Sequence, residues 1–262
     1  MIDEIKKALA HIKSQKPLIL CLTNVVTVEF VANSLLSIGA APIMSKCEDE
    51  VNELIKIASA LYINIGTLDH AFIALAKKAI AIANKHHKPV IFDPVGSGAT
   101  TIRTKISKSI FPFTKFIRGN SSEIISLASR THQTYGVESN HTIDEAKSIA
   151  KSLSLQNKVI VIVSGPIDFI TDGNQSIEVP FGSSLMQMVT GMGCSLTAII
   201  AAFQSVLEDS FTSAVLAVHY FALCGELASQ KQQSIGSFKV EFLDQLHNPD
   251  FAFMRGLYDS RR

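Results

Sequence analysis

The chain is poor in charge. Only 18% of its 262 residues are Asp, Glu, Lys or Arg, against about 25% in an average globular domain. Its 24 basic and 23 acidic residues leave a formal net charge of +1. A dedicated binder of nucleic acid or of an anionic membrane carries a basic excess, so neither is expected as a partner. Cysteine is also scarce. Cys21, Cys47, Cys194 and Cys224 include no C-x-x-C pair, which argues against a disulfide scaffold and for free thiols in a reducing cytoplasm. The eight histidines show no zinc-ligand spacing with a cysteine or a third histidine. No stretch approaches about 18 consecutive apolar residues. The nearest, 214–228, is interrupted by His219, Gly225 and Glu226 and reads as a buried helix. The first residues lack the apolar core of a signal peptide and place Ile2, Ile5, Leu9 and Ile12 at helical spacing. A cytoplasmic protein is expected.

What is abundant is apolar surface. Hydrophobic residues make up 47% of the chain, enough to build a core without staples. With so little charge, part of the surface is expected to be buried between subunits. Short β-branched runs at 18–22, 60–65, 89–92, 115–117 and 158–163 predict strands. Helical spacing marks 27–38, 48–59, 69–86 and 142–155 between them. Near-continuous apolar strands separated by helices signal a mainly parallel sheet covered on both faces. Asp172-Gly173 lies between two alternating runs in 169–179 and predicts an antiparallel hairpin at one edge. After the hairpin comes a Gly/Ser loop and then almost entirely helix, with 194–207 and 211–229 forming a long apolar pair. One domain over 1–262 is expected, an α/β/α three-layer sandwich.

Ligands of open α/β sheets bind beyond the carboxyl ends of the strands. Those ends carry Thr23-Asn24, Asn64 with Gly66-Thr67, Asp93 through Gly98, Arg118 through Glu123, and Ser164-Gly165. Five polar or glycine-rich loops therefore converge on one edge. In VTGMGCSLTA (189–198), Gly191 and Gly193 precede a helix whose free N–H groups and positive end suit an anion; an ordinary N-terminal cap is the alternative. No Walker A loop and no dinucleotide fingerprint occurs. Asp93 and Glu123 suit Mg²⁺, which takes one or two carboxylates and keeps most of its waters. Equally, Asp93 before a proline suits a turn, and Glu123 suits a cap behind Asn120. Arg118 could fork onto phosphates or form a surface ion pair. Cys194 at a helix start is expected to have a lowered pKa, yet no histidine stands at a strand end to serve it as a base.

At these same residues the sequence resembles the hydroxyethylthiazole kinases, of the ribokinase-like superfamily. The motifs are TNVVTVEFVANSLLSIGAAPIMS (23–45), NIGTL (64–68), DPVGSGAT (93–100), RGNSSEI (118–124), VSGPIDFITDG (163–173), VTGMGCSLTA (189–198) and IGSFKVEFLDQL (235–246). Seven in order are far more specific than one glycine loop. The resemblance implies ATP-dependent, Mg²⁺-assisted phosphorylation of 4-methyl-5-(2-hydroxyethyl)thiazole in thiamine biosynthesis. It implies a thiazole pocket at Asn24, Met44 and Gly191, ATP contacts at Arg118, Ser164 and Asn120, and Mg²⁺ ordered by Asp93 and Glu123. The Gly191–Cys194 turn becomes the anion hole, with Gly191, Gly193 and Cys194 as catalytic positions. A homotrimer with the thiazole site between subunits is also implied. Ser164 stands where relatives commonly have Thr, keeping the hydroxyl. Superfamily relatives usually carry Asp where this chain has Cys194, a swap typical of the thiazole kinases. The rivals are a pyrimidine or pyridoxal kinase of the same fold, a Cys194 hydrolase or acyltransferase, and a precursor-binding protein without turnover.

Overall fold

The computed structural model describes residues 1–128 and 143–261. Six strands run parallel: β1 (Leu18–Leu22), β2 (Ala41–Met44), β3 (Ala60–Asn64), β4 (Val90–Asp93), β5 (Phe116–Asn120) and β6 (Ile160–Ser164). The predicted hairpin, β7 (Asp168–Thr171) and β8 (Ser176–Val179), adds antiparallel to β6 at one edge. The sheet order is β2-β1-β3-β4-β5-β6-β7-β8. The Asp172 carboxylate closes the hairpin turn by accepting from the N–H groups of Asn174 and Gln175, and Gly173 has φ +93°, as that turn chemistry requires.

Alternation along the buried strands separates two cores. Ile19, Cys21, Tyr62, Ile91, Phe116 and Ile162 meet the face covered by α1 (Ile2–Gln15), α2 (Val28–Ser37), α8 (Met192–Gln204), α9 (Ser210–Lys231) and α10 (Ile235–His247). Leu20, Leu22, Ile63, Phe92, Ile117 and Val161 meet the other face, under α3 (Val51–Ile57), α4 (His70–Lys85), α5 (Thr101–Ile110), α6 (Ser121–Ala128) and α7 (Ile143–Asn157). A last helix, α11 (Phe251–Ser260), lies near α1 and α9.

Three elements escape the periodicity reading, of which α6 was signalled only by its cap at Asn120 and Glu123. β2 contains Pro42, and a sheet tolerates proline only where its missing N–H is not needed, as on the edge that β2 forms. α5, TIRTKISKSI, is thinly apolar, and is started by the Thr100 hydroxyl, which accepts from the Arg103 N–H. Residue 142, the predicted start of α7, and His132 and His141 lie outside the described residues. The apolar pair α8 and α9 is buried within this one chain. α9 is long and apolar enough to cross a membrane, and 94% of its apolar window lies inside the fold's own core. The low charge content therefore reflects central helices, and by itself argues nothing about a subunit interface.

Candidate active site

Four polar side chains extend the α8-facing rows of the sheet by one step each. Asn64 follows Tyr62, Asp93 follows Ile91, Arg118 follows Phe116, and Ser164 follows Ile162. Side chains two apart share a face, so these four point to the side on which α8 packs, at the carboxyl edge. In the parallel register Asn64 lies beside Asp93. Asn24, Asn64 and Asp93 are all buried.

The Asn64 amide nitrogen lies 2.9 Å from Asp93 Oδ2, 3.2 Å from Cys194 Sγ and 3.0 Å from Tyr62 Oη. Its Oδ1 accepts from Asn24 Nδ2 at 3.0 Å and from the Gly66 N–H at 2.9 Å. Asn24 Nδ2 also reaches Cys194 Sγ, at 3.4 Å, while Asn24 Oδ1 accepts from the N–H groups of Val26 and Thr27 and from the Thr27 hydroxyl. Asp93 Oδ2 takes a second bond, from Thr197 Oγ1 of α8 at 3.1 Å, and its Oδ1 is buried without a partner. Burial pushes the Asp93 carboxyl up to about 7, against the pull of the Arg118 cation.

Cys194 corrects the sequence reading. Its thiol lies above the ordinary value because it is largely buried and because the Asp93 charge is near. These effects outweigh the helix start, which alone would lower it, so the thiol is protonated at neutral pH.

Glu123 takes the capping role considered for it. Its Oε2 accepts from the Asn120 N–H at 2.8 Å, and Asn120 Oδ1 accepts from the Glu123 N–H at 2.9 Å, a reciprocal capping box. Its Oε1 reaches across to the Gly96 N–H at 2.9 Å, tying the loop after β4 to α6. The Asn120 side-chain oxygen is thus committed to capping, with the Ser122 hydroxyl as a second donor.

Gly191 caps α8 with φ +97°, and a Cβ there would come within 3.0 Å of Thr27 and 3.1 Å of Phe30. Only glycine suits that position. The N–H groups of Gly193 and Cys194, in the first turn, have no partner within the helix. The Arg118 guanidinium lies against this turn, and its Nε donates to Ser164 Oγ at 2.8 Å. Met44 stands apart from this cluster. It lines an apolar pocket of about 160 Å³ with Thr23, Val25, Val28 and Phe72, while the adjoining Asn24 turns its amide toward Cys194.

The comparisons with known proteins decide the family. The model of the "Hydroxyethylthiazole kinase family" matches residues 9–250. The chain belongs to the hydroxyethylthiazole kinase family. A "Hydroxyethylthiazole kinase" of Chlamydia caviae is 46% identical over 99% of this chain and 100% of that protein. The solved hydroxyethylthiazole kinase of Pyrococcus horikoshii OT3 superposes with a TM-score of 0.86 at 34% identity, covering 94% of this chain and 93% of the other. A pyridoxal kinase from Staphylococcus aureus, solved with AMP-PCP, shares the ribokinase-like fold alone: TM-score 0.63 at 13% identity, over 80% and 88% of the two chains.

One anchoring residue of this family member, Arg103, was not singled out from sequence. From α5 it donates to the carbonyls of Ile65, Val95 and Gly66 at 2.7, 2.7 and 2.9 Å, joining the loops after β3 and β4. A charged donor on three carbonyls is strong, but α5 has no motif to announce it. Asn64 was visible as a polar strand end, yet its bonding to Asp93 and Cys194 depends on tertiary register.

Proposed function

We infer that the chain transfers the γ-phosphoryl group of ATP to the primary hydroxyl of 4-methyl-5-(2-hydroxyethyl)thiazole, the step that supplies thiazole phosphate for thiamine synthesis. The observation that carries this reading is the convergence of a glycine-capped helix start, an arginine and two carboxylates on one sheet edge, in a member of this family. Phosphoryl transfer needs chiefly positioning and charge neutralisation, and these residues supply both. Free N–H groups of the Gly191–Cys194 turn receive the transferred phosphoryl group. Arg118, steadied by Ser164, binds ATP phosphate, with Asn120 at the same end of β5. Met44, Asn24 and Gly191 border the place of the thiazole. A coupled ADP-release assay across thiazole, pyrimidine and pyridoxal alcohols tests the reading. Turnover confined to a pyridoxal or pyrimidine alcohol, or none with ATP, overturns it.

The residues present fit Mg²⁺. Asp93 Oδ1 is an unpartnered, buried carboxylate oxygen, and Glu123 is fixed nearby through Gly96. Among the described residues no group of three or more His, Cys, Asp or Glu could hold a metal by itself, which suits an ion held largely by water and phosphate. When bound, Mg²⁺ neutralises charge on the β- and γ-phosphates. Asp93 and Glu123 would hold it through its waters.

A protonated thiol is a poor general base, so Cys194 marks the base's position while contributing modestly. Full general-base help is worth about 10²–10⁴-fold. Cys194→Ala is expected to lower kcat by about 10²-fold or less with an unchanged KM for ATP, and Cys194→Asp to keep activity. An inactive Asp variant beside a fully active Ala variant would contradict this.

The assembly is a cytoplasmic homotrimer in this reading. Its support is local: Val25 and Val26 are 53% and 69% exposed, and Val25 lines the Met44 pocket, leaving an apolar wall for a neighbouring subunit to cover. Sedimentation of the active protein is expected to give about three times the chain mass; a 28.4 kDa species under assay conditions would refute it.

A further inference from the structure

The phosphoryl transfer described above assigns no part to Asn64. We propose that Asn64 is a positioning residue whose side-chain amide fixes the Cys194 sulfur relative to the Asp93 carboxylate; its effect on turnover rests on the kinase reading. The orientation of the amide follows from its surroundings. The Gly66 N–H can only donate, so the atom it meets at 2.9 Å is the Asn64 oxygen. The nitrogen is thereby turned toward Asp93 Oδ2 at 2.9 Å and Cys194 Sγ at 3.2 Å.

Two consequences follow. Sulfur receives two amide donors, from Asn64 and from Asn24, so its lone pairs face the amides and its hydrogen turns away from them. Asp93 keeps one oxygen occupied by Asn64 and Thr197, which leaves Oδ1 as the oxygen available to a ligand. The amide is fully buried away from solvent, and its two hydrogens are shared among Asp93 Oδ2, Cys194 Sγ and Tyr62 Oη. A packing role and a donor role can be separated, because aspartate has the shape of asparagine but presents oxygen where nitrogen stood.

The test uses Asn64→Asp, Asn64→Ala and Cys194→Ala with the double variant, by steady-state kinetics and thermal unfolding. Asn64→Asp is expected to lose at least about 10²-fold in kcat, and more than Asn64→Ala, with the KM for ATP within about two-fold. Asn64→Ala should cost at least about five-fold less in the Cys194→Ala background than in the parent, since residues in contact are coupled. Wild-type kcat in Asn64→Asp, or strictly additive losses, would overturn the proposal.

A second readout is independent of turnover and of whether the Asp variant folds. In a Cys47→Ser background, which removes the exposed thiol while Cys21 and Cys224 stay buried, iodoacetamide alkylation of Cys194 at one fixed pH should change at least about five-fold in Asn64→Ala. An unchanged rate refutes the proposed effect on sulfur. Parent protein inactive on the thiazole alcohol would overturn the kinase reading, while the alkylation result would still decide the role of Asn64.

Discussion

Gly193→Ala is expected to lower kcat/KM for ATP by about 10²–10³-fold, the range found on removing a donor aimed at transition-state charge, while leaving the fold as stable as before or more so. A Cβ at this position would come within 2.8 Å of Arg118 Cζ and 2.9 Å of Nη2, and nearer still to Nη1. The guanidinium must then leave the helix start, and its bond to Ser164 at 2.8 Å must lengthen or break. Backbone strain is not the cause, because Gly193 is absent from the positive-φ glycines and lies within the first turn of α8. Alanine is the better helix former by about 1 kcal/mol. The substitution therefore separates two explanations of the glycine. Steady-state kinetics with ATP as the varied substrate, beside thermal unfolding, reads both; an unaltered KM and kcat for ATP would show that Arg118 need not occupy this place.

Asp93→Asn is expected to abolish most activity, at least about 10²-fold in kcat on the magnitude of lost transition-state electrostatics, and yet to stabilise the ligand-free protein at alkaline pH. The sign follows from burial. The folded carboxyl titrates at about 7 against an unfolded value of 3.8. Between those values the native state binds more protons than the unfolded chain, so stability falls as pH rises. The contribution is fully present below the unfolded pKa and is lost as pH passes the folded one. The slope is at most about 1.4 kcal/mol per pH unit. A neutral amide can still accept from Asn64 and Thr197 and does not charge. Unfolding followed without Mg²⁺ or nucleotide should show the variant gaining on the parent from pH 5 to pH 8. A constant difference across that range would mean that Asp93 is not held near 7.

Much of the architecture was legible from pattern. Apolar runs divided by helical spacing gave the parallel sheet, Asp172-Gly173 gave the edge hairpin, and Asn120 with Glu123 gave a capping box that the structure contains. The reading failed where local chemistry was weak. Pro42 hides an edge strand, and TIRTKISKSI is too polar to signal a helix that is held largely by its tertiary contacts. It also misjudged Cys194. A thiol at a helix start is lowered by its own helix, but burial and Asp93, brought in from another strand, act in the opposite direction.

By itself the sequence determined most of the strands and helices, though not β2 or α5, together with the loops that gather at one sheet edge, the glycine that starts α8, and the motifs that carry the family. Tertiary structure alone decided which polar groups meet. The strands are apolar on both faces, so their sequence does not say which side Asn64, Asp93, Arg118 and Ser164 take. Parallel register sets Asn64 beside Asp93, and the packing of α8 against that face brings Cys194 to the amide of Asn64 and the first turn at Gly193 to the guanidinium of Arg118. These meetings depend on distances between strands and a helix far apart in the chain, which composition, periodicity and motif spacing do not encode.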